Sequence, residues 1–407
     1  MRNAHSKPIS VWALFLLIFF PLASLYFFYH VDFLFISKAI YLFLLPVVFL
    51  FVSPELLKMR YKNSLYAGYV KWIILSIIFS MLMAFTFWGQ DPVLNYRVTA
   101  SYMAIIYFFL LKRIKPGVQD IEKIIWTLCI IYLLVWCYSL IAAPQITFGV
   151  IDIDKGIRDD RGIFRFEIPG RTAVVLFFFM AVSKFIETKK KKWVIIFSLL
   201  FFLIILQVIR MAIFWSFIIA LSYMLRNNKY LWLWLALAVI IVGTCCSQVQ
   251  FDENSVMGKL ISISENQLEQ QQSRQENIRS TEYKYFFTKY SRNIVTCIFG
   301  NGVPHSLSSY GHRLFQLQEY QHLFASDVGY ALIYIYFGGI CLLLYLLVFY
   351  KVLRQKVQPQ YAYAKLFIIF LMLFNVTSYE IFKGAIFLCL SLYILDCSYQ
   401  EKRLVAL

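Results

Sequence analysis

Arg210 stands between two apolar runs, 193–209 and 211–224, with no loop to separate them. A guanidinium held this near lipid costs about 2.5–3.5 kcal/mol unless it meets an anion or water, so an arginine here is a functional-site candidate by default. The competing reading is a side chain that snorkels to the headgroups at a tight helix turn. Four more arginines, Arg158, Arg161, Arg165 and Arg171, crowd into one stretch of the segment 144–171. The planar fork of arginine grips phosphate oxygens two at a time. If these residues share a membrane face with Arg210, then Arg161, Arg171 and Arg210 form a cationic pocket for a phosphate-bearing lipid. Asp152, Asp154, Asp159, Asp160 and Glu167 are the local partners that would otherwise absorb the loop arginines.

The elements that must position these residues are helices in a membrane. The chain has 407 residues, of which 61% are hydrophobic and 19% aromatic, the composition of a polytopic membrane protein. Apolar runs lie at 11–29, 33–52, 70–88, 98–111, 124–143, 172–187, 193–209, 211–225, 230–246, 328–350, 363–379 and 381–397. The expected fold is therefore all-α with about 12 spans. Numbered alternately from a cytoplasmic N-terminus, the inner ends collect about 23 cations and the short outer turns about three, Arg97, Arg210 and Lys383. This bias predicts cytoplasmic termini and explains the net charge of +17 as topology rather than as a nucleic-acid surface. The first run is too long for a signal-peptide core and lacks a small-x-small cleavage site, so it reads as a retained helix.

Two outer connections are long. The first is 144–171; the second, 247–327, holds most of the mass outside the membrane and separates helices in 1–246 from those in 328–407. Loops of this length are uncommon unless functional or disordered. Helix-like apolar spacing in 257–263 and 281–290 predicts order in the second, with Glu265 to Gln275 a solvated arm and Gly300-Asn301-Gly302 a turn. Seven of the eight cysteines fall within or at the ends of runs and only Cys297 in an outer loop, which argues against a disulfide framework. No Cys/His spacing suggests zinc and no Gly-rich loop suggests a nucleotide, so neither metal nor cofactor is expected.

The order of these features resembles the superfamily of bacterial O-antigen polymerases and O-antigen ligases. The matching residues are Arg161-Gly162 through Pro169-Gly170-Arg171 before a middle helix, Ile209-Arg210-Met211 two helices later, Phe299-Gly300-Asn301-Gly302 late in the large loop, and Gly338-Gly339 inside the following helix. Ligases of this kind carry His-Asn at the loop's end, whereas this chain has His322-Leu323 and then Ser326-Asp327-Val328-Gly329, a form more similar to the repeat-unit polymerases.

The resemblance implies a GT-C-like membrane fold with one large, partly helical periplasmic loop and a metal-independent glycosyltransferase at the outer face of the inner membrane. Donor and acceptor would be oligosaccharides on undecaprenyl diphosphate, and the product an O-antigen, capsule or exopolysaccharide. Arg210, Arg161 and Arg171 would hold the diphosphate, whose developing charge cationic groups can stabilise. His322 has a suitable unperturbed pKa for a base, with Asp327 the competing choice. His322 also reads as a lone interfacial histidine, and Asp327 as the N-cap of the next helix. Arg279, Glu282 and Tyr283 would line the sugar groove, and a chain-length regulator is a possible protein partner. An O-antigen ligase and a lipid-linked oligosaccharide flippase are the alternatives. A flippase should show uniformly short loops and two similar halves.

Overall fold

A computed structural model describes residues 10–24, 34–61, 64–142, 145, 147–148, 157–158, 165–166, 168, 170–207, 209–227 and 278–405. Among the described residues the regular structure is helical but for a two-residue antiparallel pairing in the first long loop, with Ile157 opposite Phe166 and Arg158 opposite Arg165. In lipid every backbone polar group must be satisfied within the chain, and helices do this segment by segment. Among the described residues five helical segments are long and apolar enough to cross a membrane: Lys38–Leu56, Ala67–Trp88, Pro92–Ile114, Val118–Ala142 and Gly329–Arg354. Two further apolar helices, Val11–Ser24 and Pro359–Phe374, are shorter. The expected run 230–246 and the Gln/Glu-rich arm lie outside the described residues.

Among the described residues the helices are α1 (Val11–Ser24), α2 (Leu34–Leu56), α3 (Ala67–Trp88), α4 (Pro92–Thr99), α5 (Tyr107–Ile114), α6 (Val118–Ala142), α7 (Thr172–Thr188), α8 (Lys191–Leu206) and α9 (Arg210–Asn227). After the large loop's α10 (Ile278–Thr288), α11 (Ile294–Phe299) and α12 (Ser309–Gln321) come α13 (Gly329–Arg354), α14 (Ala362–Phe374), α15 (Glu380–Lys383) and α16 (Ala385–Val405). Every residue of α7 from Thr172 to Ser183 is buried, so this helix is apolar all round because it is surrounded by protein. Much of α2 instead shows its apolar surface: Phe43, Val47 and Leu50 are all exposed.

Polar contacts sort the helix ends into two sets. At one end Lys112 pairs with Asp396 at 3.2 Å, Gln355 donates to the Leu395 carbonyl at 2.8 Å, and Lys184 pairs with Glu122 at 2.7 Å. Lys58, Lys112, Lys115, Lys123 and Lys184 lie at this basic end. The other, the loop end, holds α10, α11 and α12, the starts of α7, α13 and α16, and the Arg210 turn between α8 and α9.

One span is broken. Gly338 takes φ 87° and ψ 170° inside α13, and a Cβ there would collide with the Ile298 carbonyl. Asn301 and Gly302 fill the gap: their backbone N–H groups donate to the carbonyls of Ile335 and Tyr336 at 2.8 and 2.9 Å, and Asn301 Nδ2 donates to Ile335 at 2.9 Å. Irregular backbone at this depth is tolerable only where protein covers it. The Gly300-Asn301-Gly302 stretch is thus more than a surface turn, because it completes the hydrogen bonding of a membrane helix.

Candidate functional site

Two polar clusters occupy the loop end, and satisfaction of their hydrogen bonds separates scaffold from candidate site. The first surrounds Trp88. Its indole donates to Asn301 Oδ1 at 3.2 Å, stacks on Tyr310 with ring centroids 4.2 Å apart, and lies 4.0 Å from the Arg292 guanidinium. Gln90 donates to Asn95 and to the Val303 carbonyl, and accepts from the His305 N–H and the Ser308 hydroxyl. Gln90 and Asn301, both buried, make full use of their amides. A satisfied network of this kind rigidifies a fold. It anchors the large loop to α3.

The second cluster is under-satisfied. Glu282, on α10, is 1% exposed; Oε1 accepts the Phe324 backbone N–H at 2.9 Å, while Oε2 is buried and has no hydrogen-bond partner among the described residues. Buried orphans of this kind are few in native proteins and call for an explanation. Burial holds the Glu282 acid above the ordinary carboxylate range; the Phe324 N–H opposes this, nearby Asp327 adds to it, and Arg279 counters it. Next on the helix, Tyr283 donates to the Val376 carbonyl at 2.8 Å, and burial pushes its phenol up to about 12. It is therefore a neutral hydrogen-bonding group at physiological pH.

Val376 belongs to a break between α14 and α16 that carries the other half of the cluster. Arg171 Nε donates to Glu380 Oε1 at 3.0 Å and Nη2 to Oε2 at 2.5 Å, a two-point pair with Glu380 fully buried. Arg171 also lies 5.7 Å from the Phe374 ring. Asn375 Nδ2 and Thr172 Oγ1 beside this pair are buried and have no hydrogen-bond partner among the described residues. Gly329 fits because a Cβ there would strike the Asn375 and Ser378 carbonyls. Arg171, Glu282, the 324–329 turn and the 375–384 break are thereby linked at one end of the bundle.

The expected site residues fare differently. Arg171, Glu282 and Tyr283 join this cluster, and the Arg171 fork meets Glu380. Asp327 is exposed in a single 3-10 turn, accepts from the Ser326 hydroxyl at 3.3 Å, and does not cap α13, whose N-cap position is Val328 without a side-chain hydrogen bond. Exposed His322 ends α12 in a left-handed conformation, φ 52° and ψ 35°, and Leu323 N–H closes the helix on the Leu317 carbonyl at 3.2 Å. Arg279 is exposed on the first turn of α10, close enough to act on Glu282 electrostatically. Arg210 opens α9 as an exposed residue at the same end. Arg161 lies outside the described residues.

Glu380 is the residue that sequence reasoning missed. It is an ionisable side chain at the junction of two apolar runs, the same signal that singled out Arg210. The Glu282 carboxylate, with one oxygen held by the Phe324 N–H and set beside Tyr283 and within electrostatic reach of Arg279, can accept a proton from a hydroxyl. No family model, no curated protein and no solved structure matches this chain.

Proposed function

We propose that this protein is a membrane glycosyltransferase of the repeat-unit polymerase type, joining undecaprenyl-diphosphate-linked oligosaccharides into a surface polysaccharide at the outer face of the bacterial inner membrane. The observation that carries this reading is Glu282, a buried carboxylate at the loop end of the bundle with one oxygen that has no hydrogen-bond partner among the described residues. In this reaction a hydroxyl of the acceptor sugar attacks the anomeric carbon of the donor. The bond from that carbon to the diphosphate breaks, and undecaprenyl diphosphate leaves with the electron pair. The hydroxyl proton passes to a base.

Geometry favours Glu282 over His322 as that base. The Glu282 carboxylate is buried, and its Oε2 has no hydrogen-bond partner among the described residues. His322 stands exposed on a helix cap. Arg210 and Arg161 are assigned to the departing diphosphate, where fixed positive charge lowers the barrier. The fork of Arg171 is engaged by Glu380, so its part in this account is to order the break that faces Glu282. Arg279 and Tyr283 remain the groups beside the sugar.

A deletion strain tests the reading against its rivals. Single repeat units on the finished glycan are expected. Long polymer left on its lipid carrier would instead indicate a ligase, and lipid-linked units accumulating in the cytoplasm a flippase.

A further inference from the structure

We infer that the basic end of the bundle carries a second anion site, a cavity that takes a phosphate group and is separate from the Glu282 cluster. The cavity has a volume of about 440 Å³, and Lys58, Arg60, Lys112 and Lys115 are among its lining residues. Lysines and arginines are common at the cytoplasmic end of membrane helices, where they ordinarily spread into water. Here they converge, and two of them are held in place.

Lys112 is only 15% exposed and is paired with Asp396, whose side chain is 1% exposed. The Asp396 carboxylate also accepts from the Ser64 hydroxyl and, at 2.9 Å, from the Leu65 N–H. Its oxygens are spent on protein donors, so it orients the Lys112 ammonium and does not itself offer a ligand position. Glu55 engages Lys58 at 2.6 Å. Lys115 ends α5 in a left-handed conformation, φ 57°, unusual for a residue with a side chain, and lines the cavity from there. Four cations against the two carboxylates Glu55 and Asp396 leave two positive charges, those of Arg60 and Lys115. That balance suits a phosphate dianion, and an arginine beside lysines suits its oxygens.

The phosphate could belong to a lipid headgroup or to a soluble anion, and the experiment distinguishes them. Full-length protein is placed in phosphatidylcholine nanodiscs. Its thermal unfolding is followed with inorganic phosphate against chloride at equal ionic strength, and separately with phosphatidic acid added to the disc. The site predicts stabilisation by at least one of these probes. Inorganic phosphate acting alone identifies a soluble ligand, and phosphatidic acid acting alone a lipid. Replacing both Arg60→Ala and Lys115→Ala leaves the Lys112–Asp396 and Lys58–Glu55 pairs intact, so the fold should survive. It should weaken the response by about tenfold or more in apparent affinity, while Arg60→Lys with Lys115→Arg should retain most of it. No stabilisation by either probe, or an unchanged response in the double alanine variant, would overturn the inference.

Discussion

Arg171 and Glu380, 209 residues apart in the chain, meet in a two-point ion pair buried where α7 begins and α14 ends. A pair of this kind contributes little net stability against well-packed apolar residues, yet removing one partner strands a buried charge. Arg171→Ala should therefore cost about 3–5 kcal/mol in unfolding measured in detergent, whereas Arg171→Met combined with Glu380→Leu should recover most of the loss. The double variant also separates latch from clamp. If Arg171 acts only by ordering the 375–384 break, the stable double variant keeps substantial transfer activity. A stable but inactive protein would return Arg171 to direct contact with the diphosphate.

Glu282 gives a pH prediction whose sign follows from its environment. Burial raises its folded pKa above the ordinary value of 4.5. The stability of the neutral acid is fully present below that value and is lost as pH rises through the folded pKa. Glu282→Gln can still accept the Phe324 N–H but does not ionise. The stability of this variant relative to the parent should therefore increase as pH climbs from about 4.5, and level off above the folded pKa. Equal pH dependence of unfolding in the two proteins would show that the carboxylate is not desolvated.

The broken span predicts a contrast between two glycines. Gly338→Ala forces a side chain into a positive-φ position and against the Ile298 carbonyl, and should destabilise by about 2–4 kcal/mol. Gly68→Ala, in the first turn of α3, meets nothing within 4 Å and should be neutral or stabilise by up to about 1 kcal/mol. Thermal unfolding of both variants checks this. Similar effects would mean that the 300–302 stretch does not depend on the break in α13.

Much of this architecture was legible because lipid imposes a simple pattern. The runs at 172–187, 193–209 and 211–225 correspond to α7, α8 and α9, and the turn at Arg210 follows from charge between two apolar stretches. The spacing in 281–290 likewise foretold α10. Other features depend on partners remote in sequence. The run 363–379 looks continuous, but its helix ends at Phe374, and the next long helix begins only at Ala385. Glu380 occupies that gap because Arg171 meets it there. Gly338 resembles an ordinary small residue in a span until Asn301, far away in the chain, supplies the hydrogen bonds that permit the break. His322 drew notice by residue type and by its place at the end of the large loop, and the structure shows it ending α12 in a left-handed conformation. Glu282 was expected in the sugar groove; its burial, and an oxygen with no hydrogen-bond partner among the described residues, are visible only after folding.

The most direct measurement uses purified protein in lipid with undecaprenyl-diphosphate-linked oligosaccharide as both donor and acceptor. A ladder of lipid-linked glycans growing by whole repeat units is expected, with undecaprenyl diphosphate released at each step. Glu282→Gln should slow this by about 10²–10⁴ without loss of folded protein, as expected for removal of a general base. Arg210→Ala should also abolish the ladder, and Arg210→Lys should restore it poorly because a point charge cannot replace the planar fork. A substrate that remains at one repeat unit with the folded parent protein, or a Glu282→Gln variant with turnover within about threefold of the parent across the pH range, would contradict the account.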